Sequence, residues 1–178
     1  MSQTSAGTMK TFKWIGIGCL LVSIAAGIVA CTFRLAVWTG PIGTPMRLLD
    51  DINALTIMML IVLFVLPAIW TLVVLTYKKP LIPAILTAVS ALVLLTGTLF
   101  MTGAVISSVL MWDGQTSDGT PIGGMETTRP ATGYFALVCA SILQLAATVF
   151  LLVQVRVERN SRGARKGLDD TGLGVSAQ

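Results

Sequence analysis

In GIVACTFRLAVW, residues 27–38, an arginine follows a cysteine inside an otherwise apolar run. A guanidinium at that depth can pair with a carboxylate, hold an anionic lipid or quinone headgroup, or stretch along its stem to the membrane surface. Read as helix, Arg34 stands one turn before the aromatic Trp38, about 6 Å from it. The surface-anchor reading is therefore preferred over a buried working charge. Asp50 and Asp51 are its candidate partners, because they open the next apolar segment at the same face. They are equally suited to capping that helix and complementing its positive end. Arg34, Asp50 and Asp51 are the candidate lipid or partner contacts.

Other groups offer little chemistry. The chain has three cysteines, Cys19, Cys31 and Cys139, and no histidine. All three cysteines fall in apolar runs and none forms a CxxC pair, so they read as small apolar side chains. Without histidine a zinc site lacks its usual ligands, a bis-histidine haem lacks its axial pair, and a Ser–His–Asp arrangement is excluded. No GxxxxGK[ST] or GxGxxG loop offers a phosphate cradle. No Asp or Glu lies within an apolar run, which removes the usual titrating group of proton-coupled carriers. Asp113 and Asp118, in the Gly-rich DGQTSDG, lack calcium-loop spacing and read as a solvated turn. No catalytic centre, cofactor or metal is expected.

The elements that must position these groups are membrane helices. Hydrophobic residues make up 54% of the 178 positions and charged residues 11%, with a mean hydropathy of +0.85. So few charges cannot cover a water-facing surface. Four apolar runs, at about 14–38, 52–76, 81–111 and 133–155, each reach the roughly 20 residues that span a bilayer. Their continuous apolarity favours helices over barrel strands. The expected fold is an all-α integral membrane bundle of four transmembrane helices over residues 14–157. A cytoplasmic N-terminal segment, 1–13, precedes it and a disordered basic cytoplasmic tail, 158–178, follows.

Charge sets the expected orientation. Nine of the twelve basic residues, Lys10, Lys13, Lys78, Lys79, Arg156, Arg159, Arg162, Arg165 and Lys166, lie at one face. By the positive-inside rule that face is cytoplasmic, in a plasma (inner) membrane, with both termini inside. The tail's basic half would lie on anionic lipid, and no nucleic-acid role is expected. Ile28-Val29-Ala30-Cys31 fits a loose lipoprotein cleavage pattern, but the apolar run continues through Trp38, so retention as a helix is preferred.

Small residues mark where helices can approach. Cys19, Ser23, Gly27 and Cys31 repeat at four-residue spacing, as do Ala136, Ala140, Gln144 and Thr148, while Leu99, Gly103 and Ser107 share a third face. Gln144 needs a hydrogen-bond partner inside the membrane. Pro67 predicts a kink in the second helix. The simplest packing joins helices one, three and four and leaves much of helix two to lipid or a partner.

Two outer segments resemble each other: WTGPIGTPM at 38–46 and, within residues 112–125, WDG followed by TPIGGM. This is consistent with a duplicated helical hairpin. The leading functional expectation is a non-catalytic accessory or assembly subunit of a larger respiratory or envelope-building membrane complex. The alternative is a small transporter or pore-forming homo-oligomer lined by Gln144, Thr98, Thr102 and Ser107.

Overall fold

The computed structural model describes residues 2–40, 44–50, 54–76, 81–119 and 121–170. Asp51, Tyr77, Lys78, Lys79 and the Pro41-Ile42-Gly43 motif lie outside the described residues. Helix α1 (Ser2–Thr32) leads into strands β1 (Arg34–Trp38) and β2 (Met46–Arg47). The second span is α2 (Ala54–Leu60), a π-helical turn (Ile61–Val65) and α3 (Leu66–Thr76). Then come α4 (Leu81–Ser107), the hairpin β3 (Val109–Gln115) and β4 (Pro121–Pro130), and α5 (Thr132–Asp170). Four helical stretches, Lys10–Thr32, Thr56–Thr76, Leu81–Ser107 and Thr132–Ser161, are long and apolar enough to cross a membrane.

The bundle carries a sheet at one end, which corrects the all-α expectation. The strand order is β2-β1-β4-β3, so the two connecting segments form one four-stranded antiparallel sheet. Strand β1 joins them: Ala36 pairs with Pro130, Val37 with Arg129 and Trp38 with Thr128. Leu35 is the extra residue of a bulge, since Arg34 opposes Arg47 and Ala36 opposes Met46. The bulge lets consecutive Leu35 and Ala36 both be buried.

Two helix ends therefore fall earlier than hydropathy indicates. The apolar residues Leu35, Ala36 and Val37 continue the first run but belong to a strand, and Val109 to Met111 do the same after α4. Continuous apolarity cannot distinguish a buried strand from the end of a spanning helix. The opposite end also departs from expectation. Helix α5 runs about 60 Å, beyond the span and through the basic stretch to Asp170, where a disordered tail was expected from 158. The first helix likewise reaches back to Ser2.

Two core clusters stack along the bundle. Nearer the sheet, Ala30, Met59, Val62, Leu63, Leu94, Leu137 and Ala140 pack together. At the other end Ile17, Val74, Ala84, Leu151 and Val155 do so. Helices α1 and α5 share the most extensive helix interface, and α4 packs on α5. The second span is not peripheral. Met59, Val62 and Leu63 enter the core, while Ile57, Ile61, Val65 and Leu72 point outward.

Candidate functional site: a buried polar ladder and an exposed sheet

Gln144 occupies the middle of the ladder and is fully buried. Its Nε2 donates to the Val62 carbonyl at 3.2 Å, and its Oε1 accepts from Ser90 Oγ at 3.3 Å. The Val62 bond follows from the sequence of the second span. Within the π-helical turn the Leu66 N–H bonds to the Ile61 carbonyl, an i to i−5 pattern. The next donor in that register would serve Val62, but residue 67 is proline and has no N–H. The Gln144 amide supplies the missing donor. The expected kink is thus a π turn, held in place from another helix.

Toward the sheet, Ser141 and Thr98 share a hydrogen bond of 2.7 Å, and the Tyr134 hydroxyl meets Thr102 Oγ1 at 2.9 Å. Ser23 Oγ donates to the Ala140 carbonyl at 3.1 Å, linking α1 to α5. These hydroxyls and amides face partners inside a single bundle. They form no nucleophile–base pair, and among the described residues no three His, Cys, Asp or Glu side chains gather in a metal-binding group.

The small-residue stripes are placed as follows. On α1, Ser23 and Gly27 are buried and Cys19 and Cys31 half-buried, with Cys31 against the sheet-side core. A Cβ on Gly27 would come within 2.7 Å of Leu63 Cγ, so this glycine admits the second span. On α5, Ala140, Gln144 and Thr148 are buried and Ala136 packs beside the core. On α4 the expected face is turned around: Leu99, Gly103 and Ser107 are exposed, while Thr98 faces inward. The i, i+3 and i+4 pattern did not distinguish these faces because the helix is apolar all round. The three cysteines are free thiols, and Cys139 is exposed.

Arg34 is in a strand, not a helix. It is exposed and stands directly opposite Arg47. Asp50 Oδ2 accepts the Arg47 backbone N–H at 2.9 Å and closes the turn after β2, while residues 51–53, where the second helix would be capped, lie outside the described residues.

Glu126, which is 1% exposed on β4, is not among the candidate residues read from the sequence. Its carboxylate occupies the space a Cβ on Gly40 would need. The signal was alternation: Glu126 and Thr128 are buried while Met125 and Arg129 are exposed, a period of two across METTR. Thr128 Oγ1 donates to the Val105 carbonyl and fastens the sheet to the end of α4. On the outer hairpin, Met111 pairs with Met125 across the strands, at 75% and 61% exposure, beside the half-exposed Val109.

Compared with protein-family models, curated proteins and solved structures, the chain matches none.

Proposed function

We propose that this chain is a non-catalytic accessory or assembly subunit of a larger integral membrane complex, docking through its sheet and helix faces. The observation that carries the reading is the edge strand β3. Among the described residues it presents one backbone edge with no partner strand and, with β4, the exposed Val109, Met111 and Met125. Exposed apolar side chains beside an open strand edge favour pairing with another chain. The positive-inside rule puts this sheet outside a plasma (inner) membrane and both chain ends in the cytoplasm. Each half runs helix, strand, strand, helix, which supports a duplicated hairpin. However, β1 is central in the sheet and β3 is at its edge, so the two copies would have diverged in strand pairing.

A homo-oligomeric pore is the weaker reading, because Gln144, Thr98 and Thr102 already have hydrogen-bond partners inside one bundle. Purification in mild detergent separates the two. The accessory reading expects a stoichiometric larger membrane protein, lost on M111D/M125D without loss of the monomer's helicity. A homo-oligomer as the sole species, unchanged by those substitutions, would refute it.

A further inference from the structure

Strand register places two arginines directly across from each other where the sheet meets the bundle. Arg34 opposes Arg47, and both residues line one cleft of about 410 Å³. Like charges directly opposite one another on antiparallel strands are destabilising. No ion pair to either arginine is found among the described residues. The rest of the cleft is Thr32, Phe33, Val37, Ala131 and Thr132, with no carboxylate. Thr132 is also the first residue of α5, so the positive end of a long helix adds to the same field. Gly133 brings that end close: a Cβ there would lie 2.7 Å from the Phe33 carbonyl oxygen.

A second cleft adjoins it. It measures about 310 Å³ and shares Arg47, but its other walls include Leu35, Met46, Leu48, Met101 and Val105. Asp50 is also in that wall, with its Oδ2 held by the Arg47 backbone N–H. A doubly basic cleft and an apolar one thus meet at a single arginine, at the level where α1 and α4 leave the span.

We infer that the two clefts form a binding site for an anionic phospholipid of the sheet-side leaflet. The phosphate sits between Arg34 and Arg47, and part of an acyl chain lies along Met101 and Val105. A phosphate between two guanidinium forks relieves their repulsion and accepts charge-assisted hydrogen bonds from both. A free phosphate ion would satisfy the arginines equally, but it would leave the apolar cleft unused. This inference does not rest on the accessory-subunit reading.

The test is native mass spectrometry of the full chain in mild detergent, titrated separately with phosphatidylglycerol, phosphatidylcholine and inorganic phosphate. Wild type should take up its first phosphatidylglycerol in preference to phosphatidylcholine. Each of R34Q and R47Q should weaken that step about 5-fold, and R34Q/R47Q about 25-fold, at roughly one elementary interaction per arginine. The control R156Q/R159Q, at the far end of α5, should leave the step unchanged. R34K should fall between wild type and R34Q, because an ammonium keeps the charge but not the fork. If the double variant does not fold, R47Q on the exposed two-residue strand decides the matter alone. Phosphatidylglycerol uptake indifferent to R47Q would overturn the site. Displacement of the lipid by inorganic phosphate, with equal stabilisation by the ion, would overturn its assignment to a lipid.

Discussion

Gln144 shows what one amide side chain does when it is fully buried among apolar helices. Its amide answers a carbonyl that proline leaves without a donor and also accepts from Ser90, so truncating it strands two groups at once. Q144L should lower stability by about 1–2 kcal/mol, the usual range for interhelical hydrogen bonds in membranes, read by denaturant titration in detergent. An unchanged midpoint would show that Val62 and Ser90 find other partners. That Gln144 needs a partner was legible in the sequence, because an amide in mid-span must be satisfied. The identity of that partner was not, since Val62 offers its carbonyl only after the π turn has formed. The inward face of Glu126 was written in the alternation of METTR, but the space for its carboxylate was not, because nothing near it in sequence indicates that Gly40 makes that room. Adding a methyl group at that glycine should be costly. G40A should destabilise the sheet by about 1–3 kcal/mol, as overpacking does, and expose Trp38 to quenchers of its fluorescence.

Among the elements, the second span is the one whose geometry depends on a neighbour. Pro67 removes a donor and α5 restores it, so the two positions should be energetically coupled. P67A returns an N–H to the backbone and lets the turn relax toward regular α-helix. In that background Q144L should cost less than in wild type, with a coupling of about 1 kcal/mol across the double-mutant cycle. Strict additivity would mean that the π turn does not depend on the glutamine. The helices themselves were legible from hydropathy, but their ends were not. Leu35 to Val37 and Val109 to Met111 are as apolar as the spans they follow, and only their pairing with β2 and β4 makes them strands. The α4 face was misread for a related reason, since Thr98 and Gly103 are equally compatible with lipid and with a core.

Among the described residues, Lys10, Lys13, Arg156 and Arg159 lie toward one end of the bundle and the sheet caps the other, with Arg34, Arg47 and Arg129 on it. Reporter fusions after Asp118 should therefore read external, and fusions after Lys166 cytoplasmic, as the positive-inside rule requires. A cytoplasmic signal after Asp118 would reverse the assigned orientation. The sheet also has a consequence in time. Thr39 donates its backbone N–H to the Thr127 carbonyl and accepts the Thr127 N–H on its hydroxyl, a closure across 88 residues of sequence. Translation at about 5–20 residues per second separates those two strands by roughly 4–18 s. If the sheet is external, as the positive-inside rule predicts, β1 has crossed the membrane throughout that interval while its central pairing partner has not yet been made. The open edge of every nascent copy must be shielded or left vacant until the third span and the hairpin after it arrive, so β1 closes on β4 only after the chain has been made through Pro130.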